Sequence, residues 1–425
     1  MRQTSEKGSP TSKIHFQRVA LAWIGLAVLI LLLACHGGKK KSDSAGGEVS
    51  LGALTPGATE LTNIYAATGA NALSPVAARA RPLVYVPNAR SASVTVIDPT
   101  TYTVVRTFHT GKVPQHVVPS YDETKLWVAN NRSNTLTPID PVTGEDGPPV
   151  KVDDPYNLYF TPDGKYALVV AEKLHRLDFR APSDMHLVQS LPLECRGIDH
   201  MEFTSDGRYA IGTCEYSGQL VKVDLAQREV VGYLMLDPGR WYTFKSAVAD
   251  FLTRRKHRSL EAPSMPQDIR STADGTVFYV ADMQAGGVYT VDPVDFTRTG
   301  FIETGIGTHG IYPSRDGKLL YVTNRGWTTL RGGRHGPGSV SVVDPAQEKV
   351  VARWEIPGGG SPDMGNVTAD GKELWVSGRY DDEVYVFDTK TGALTHRIPV
   401  GREPHGLCVW PQPGRYSLGH TGNMR

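Results

Sequence analysis

The sequence predicts an all-β fold, a seven-bladed β-propeller of four-stranded antiparallel blades carrying one inserted helix. Three observations lead there. A short alternating strand text recurs seven times: LVYVPN at 83, LWVANN at 126, ALVVAE at 167, AIGTCE at 210, VFYVAD at 277, LLYVTN at 319 and LWVSGR at 374. Six copies follow a turn aspartate, at Asp122, Asp163, Asp206, Asp274, Asp316 and Asp370, spaced 41, 43, 68, 42 and 54 residues apart. Every copy is followed by a second strand ending in Asp, from VTVIDP at 94 to VYVFDT at 384. Alternating apolar and polar residues mark a half-buried strand, and a unit of about 42 residues holds the four strands of one blade. The 44 glycines and 29 prolines suit many short strands joined by turns.

At the amino terminus a basic segment (Arg2, Lys7, Lys13, Arg18) precedes the apolar run Val19–Ala34. Its 16 residues are short for a membrane span and typical of a secretory signal. The run ends in LLAC, which resembles the bacterial lipobox, whose cysteine (here Cys35) becomes the lipidated first residue of the mature chain. An uncleaved anchor or an ordinary signal is the alternative. Residues 1–34 are thus expected to be a signal peptide, 35–80 a lipidated cysteine with a flexible tether rich in Gly, Ser, Ala and Thr, and 81–425 the propeller.

Two intervals exceed the common period. The first places an insertion at about 240–263, where WYTFKSAVADFLTRRKHRSLEA (241–262) sets Phe244, Val248, Phe251 and Leu252 on one helical face ahead of a basic run. The second adds RGWTTLRGGRHGPG at 325–338. In a four-stranded meander both loops leave from the same end of the blades, and elaborated loops on a rigid scaffold usually carry function. The last copy ends VGREPHGLCVWP, an inner-strand text with no blade after it. It is expected to complete the first blade and so remove the open sheet edges. The final GRYSLGHTGNMR carries no repeat text.

The text YVTN at 321–324, with VSVVDP at 340–345, resembles the YVTN family of propeller repeats over roughly Arg81 to Pro411. That family occurs in bacterial surface and periplasmic proteins, and is similar to the propellers of lactonases and haem-binding nitrite reductases. The resemblance implies the fold and an extracytoplasmic setting. It implies little about activity, because propellers host many unrelated chemistries.

Seven residues before each turn aspartate, or before Gln412 in the last copy, stand Gln115, Tyr156, Asp199, Gln267, His309, Asp363 and His405. All are polar or amphipathic, each opening an apolar strand, which points them at the mouth of the central channel. The following residues are His116, Asn157, His200, Asp268, Gly310, Met364 and Gly406, expected on the opposite strand face. His309, Asp363 and His405 come from consecutive blades, and two imidazoles with a carboxylate can hold a divalent metal. A wet channel that merely holds water is the plainer alternative. His116, Asp199, His200, Asp268, Arg325 and His335 are further ligand-binding candidates; Arg325 and His335, with Trp327, suit an anionic or sugar-like ligand.

Cys195 and Cys214 fall near the same end of one blade and are expected to form a disulfide, whereas Cys408 lies inside an apolar strand. No Cys-x-x-Cys-His text marks a covalent haem, and the cofactor is otherwise unspecified. The net charge of +1 gives no steering towards nucleic acid. The expected partners are a membrane, through the lipid anchor, and a small ligand or protein at the channel face. The leading expectation is a periplasmic or cell-surface binding module. Its rivals are a lactonase-like or metal- or haem-assisted redox enzyme and a purely structural surface protein; neither G-x-S-x-G nor H-E-x-x-H occurs.

Overall fold

The computed structural model describes residues 63–237, 264–420 and 422–425. Six of its blades are organised by the same turn. A Ser or Thr two residues before the aspartate donates its hydroxyl to Asp Oδ1 at 2.6–2.8 Å, as Thr161 does to Asp163 and Ser314 to Asp316. The same oxygen accepts the backbone N–H two residues further on. The intervening glycine takes a left-handed conformation, with φ of 69° at Gly164 and 77° at Gly371; at the variant copy Glu123 adopts it at φ 59°. Each turn folds an inner strand back on the next, and the meander then runs outward.

The described residues form seven four-stranded antiparallel sheets. The inner strands are Pro114–Pro119, Asn157–Phe160, Ile198–Phe203, Pro266–Ser271, Thr308–Pro313, Pro362–Val367 and, closing the first sheet, Cys408–Trp410. The closing strand pairs Trp410 with Leu83, Val409 with Val84 and Cys408 with Tyr85. Inner strands are buried almost throughout, while outer ones such as Thr297–Glu303 are largely exposed. Apolar side chains fill the space between neighbouring sheets, as where Tyr321 and Trp354 of one blade meet Leu374, Tyr385 and Phe387 of the next.

Three boundaries differ from expectation or lie beyond view. The helix predicted at 241–262 lies outside the described residues, as do the signal segment and Cys35; the described residues contain only two short 3-10 turns, Ala77–Arg79 and Asn131–Ser133. The tether does not extend to residue 80. From residue 63 the chain packs across the turn end of the ring, with Ile64 N–H bonded to Ala273 O and Asn71 N–H to Ala369 O, and with Ala77 fully buried. Its apolar Leu73 and Ala77 join the core of the first blade, which a polar tether could not do. The tail lies at the same end: Ser417 N–H bonds Tyr121 O, and Phe160 N–H bonds Leu418 O.

Trp410 is 1% exposed in the strand that closes the ring. Trp410→Ala is expected to cost about 3–5 kcal/mol, against less than about 1 kcal/mol for Val351→Ala on an outer strand, read by denaturant unfolding.

Candidate functional site: the mouth and channel of the ring

The inner strands do not run as unbroken ladders. In five blades the pairing with the second strand slips at one place, between Pro114 and Val117, Ile198 and Met201, Pro266 and Ile269, Thr308 and Ile311, and Pro362 and Gly365. Each break frees two consecutive residues, and these are the pairs singled out by sequence register. Strict alternation would send the second of each pair away from the first; the irregularity lets both reach the axis. The channel is therefore lined in two layers, which corrects the expectation of opposite faces.

The upper layer opens into a mouth cavity of about 480 Å³ lined by Gln115, Tyr156, Gln267, His309 and His405 among others. A second ring joins it, contributed in five blades by the residue that follows the second strand: Asn131, Glu172, Glu215, Arg325 and Arg379 line the same cavity. Sequence reasoning singled out only Arg325 from this set. The signal was present as a polar or charged letter at one register of the strand text. The arrangement is polarised, with Glu172 and Glu215 on adjacent blades and Arg325 and Arg379 on two others.

His309, Asp363 and His405 are brought together, each within reach of a common point. Asp363 is already engaged, however: Arg325 Nε lies 2.6 Å from Oδ1 and Arg379 Nη1 3.4 Å from Oδ2. Arg325 Nη2 also sits 2.7 Å from His309 Nε2, so one guanidinium engages two members of the group. Arg325 is thus a structural cation of this layer, buried at 2% exposure. His335 lies out on the insertion, half exposed, beside Asp381. Among the remaining polar atoms, Gln115 Oε1, both His405 nitrogens and both Asp199 oxygens are buried without a hydrogen bond of good geometry, the Tyr156 hydroxyl being the donor adjacent to Asp199. Such groups carry a desolvation cost that water or a ligand must relieve.

The lower layer holds His116, Asn157, His200 and Asp268 rather than placing them at the mouth. Asp268 pairs with Arg270 at 3.1 Å. A third imidazole, His420, reaches this layer from the tail, its ring 4.6 Å from His200 and 5.2 Å from His116. No repeat pointed to it. Burial drives the imidazoles of both layers towards the neutral form, His116 down to about 3, and nearby guanidinium groups reinforce this at His309 and His405. Cys195 and Cys214 form a disulfide, and Cys408 is buried as a free thiol.

The model of the YNCE-like beta-propeller family matches residues 57–235 and 247–413. No curated protein matches the sequence. Among solved structures, the periplasmic gluconolactonase of Pseudomonas aeruginosa is similar at 16% identity and a TM-score of 0.59, over 78% of this chain and 99% of that one. A dihydro-haem d1 dehydrogenase in complex with DHE is similar at 15% identity and a TM-score of 0.54, over 79% and 75%. The hydrazine synthase of Kuenenia stuttgartiensis is similar at 17% identity and a TM-score of 0.53, over 68% and 87%. At these identities the likeness is one of fold.

Burial, with Glu215 alongside, pushes the Glu172 carboxyl up to about 7. Its folded value exceeds its unfolded one, so the folded state keeps a proton that the unfolded chain gives up, and stability falls as pH rises between about 4.5 and 7. Glu172→Gln is expected to raise the melting temperature at pH 8 and leave it nearly unchanged at pH 4, measured by thermal unfolding of the two proteins in parallel.

Proposed function

The chain belongs to the YNCE-like β-propeller family, and from that premise we propose that it is an extracytoplasmic, lipid-anchored binding module for a small, hydroxyl-rich acid. The observation that carries this reading is the polarised mouth. Arg379 offers hydrogen-bond donors on one side, while Glu172 and Glu215 offer acceptors or exchangeable protons on the other. In the same cavity, Gln115 Oε1 awaits a donor. A molecule with a carboxylate at one end and hydroxyls along its length meets both demands. The export text ahead of Cys35 and the Cys195–Cys214 disulfide support a location in an oxidising compartment. So does the periplasmic setting of one protein sharing the fold.

A hydrolytic reading is favoured by one feature: Glu172 and Glu215 are neighbouring carboxyls whose proton affinity burial raises, so that one can keep a proton as general acid while the other gives its proton up to act as base. Two proteins can share this fold and differ in activity, so the test must separate binding from turnover.

The test is calorimetry and thermal shift with a panel of sugar acids, their lactones and neutral sugars. Sugar acids should raise the melting temperature and neutral sugars should not. Arg379→Ala should weaken binding about 10- to 100-fold, the loss of one charged hydrogen bond. Equal response to acids and neutral sugars, or none to either, rejects the proposal; consumption of a lactone installs the hydrolytic reading. For the anchor, Cys35→Ala should shift the protein from the membrane to the soluble fraction or leave an unprocessed precursor, read by fractionation and mass.

A further inference from the structure

We propose that His116, His200 and His420 form a second, deeper site that binds one late first-row divalent cation, zinc or copper, held in place by the carboxy-terminal tail. The ligand atoms available on the three side chains lie within 4.8 Å of one another. Their ring centroids are 4.6, 5.2 and 5.5 Å apart, with interplanar angles of 61–87°. Three imidazoles bound at about 2.1 Å around a tetrahedral ion have centroids roughly 5 Å apart, so closure needs shifts on the order of 1 Å. Three nitrogen donors without a thiolate suit zinc and copper(II) better than calcium or magnesium.

Four further observations support the assignment. His200 Nε2 lies 3.3 Å from Asp199 Oδ1, and His420 Nε2 lies 3.6 Å from Asp268 Oδ1. Each acidic side chain stands on the Nε2 side of its imidazole, which leaves Nδ1 as the atom facing away from it. Those two Nδ1 atoms converge on one point, the amide nitrogen of Asn157, at 3.2 and 3.0 Å. Asn157 thus supplies positive hydrogens where a cation would supply charge. Third, neither nitrogen of His116 has a hydrogen bond, although the ring is fully buried. A Cβ at Gly406 would stand 2.0 Å from its Nδ1, so glycine is what makes room for the ring.

Fourth, the tail is fitted closely to deliver His420. His420 N–H bonds Leu158 O, and a Cβ at Gly419 would lie 2.6 Å from Tyr159 Cα, so only glycine allows that approach. Arg425 Nη2 bonds Glu202 Oε1 at 2.6 Å and ties the tail to an inner strand. The upper group is the weaker competitor, because Arg325 already holds Asp363 and His309.

The experiment uses the full chain in detergent, dialysed against zinc and then assayed for metal content. One equivalent is expected, lost in His116→Ala, His200→Ala and His420→Ala but kept in His405→Ala. Gly419→Ala, which removes none of the three imidazoles but denies the tail its approach to Tyr159, should also lose it. Absence of bound zinc and copper, or loss of metal in His405→Ala with retention in His420→Ala, overturns the proposal. Should a variant fail to fold, cobalt(II) loading of the unaltered protein decides. An intense tetrahedral visible spectrum upholds the site, and a weak octahedral one or none rejects it. Ligand binding at the mouth is scored separately, so either reading can fail alone.

Discussion

A propeller blade is a sheet with two apolar faces, and it can cover both only if it has a neighbour on each side. The whole structure therefore depends on closing the ring, and here one short pairing does it, Cys408–Trp410 on Leu83–Tyr85. That pairing also fixes where the chain ends must go. Inner strands run from the mouth towards the aspartate turns, so a chain that ends on an inner strand leaves the ring at the turn end. Residues 63–80 pack against the aspartate turns from the same end, as at Ala273 and Ala369. The closing strand thus brings both flanking segments together beneath the channel.

The second constraint is the repeated slip in the inner ladders. A regular strand would show the axis every other residue, and its neighbours would be sealed between blades. The slip exposes two consecutive side chains to the channel, at the loss of ladder hydrogen bonds that the surrounding sheets tolerate. Polar groups placed there are costly, about 1–3 kcal/mol for each buried atom left unpaired. Register also shifts between the third and fourth strands of four of these blades, but the inner slip is the one that delivers consecutive residues to the channel. A local rule broken at the same place in five blades is the usual signature of a functional position.

Much of this was legible in the chain itself, for a physical reason. Turn chemistry, strand alternation and period are local properties, written again in each copy, and so is the register that places Gln115, His309 and His405 at the axis. Closure could be read because an inner-strand text stood without a blade. Three things were harder. The ring of Glu172, Glu215 and Arg379 is encoded at a register outside the inner strand, so reasoning confined to the inner strand passed over it. His420 occurs in a segment with no second copy, and its partner residues are 220 and 304 positions away, at His200 and His116. Only the closed ring brings them together. Pairing was equally hidden: Asp363 reads as a free carboxylate in sequence, and its two guanidinium partners are defined by packing.

The clasp under the channel shows how these constraints combine. Glu202 on an inner strand bonds Arg425 of the tail, Arg425 stacks 4.7 Å over the Tyr65 ring, and the Tyr65 hydroxyl reaches Glu202 at 3.5 Å. A buried ion pair is weak as a source of stability, since desolvation offsets most of its attraction, but it penalises every misplaced alternative heavily. Its value here is positional. It joins the segment before the first blade to the segment after the last, and it fixes the tail in one register against Leu158 and Tyr159. A tail held by apolar contacts alone could slide by a residue, and a one-residue slide would carry His420 away from His116 and His200. The charged clasp, the two glycines that permit close approach and the closing strand are thus parts of one device that holds an imidazole at the axis of the ring.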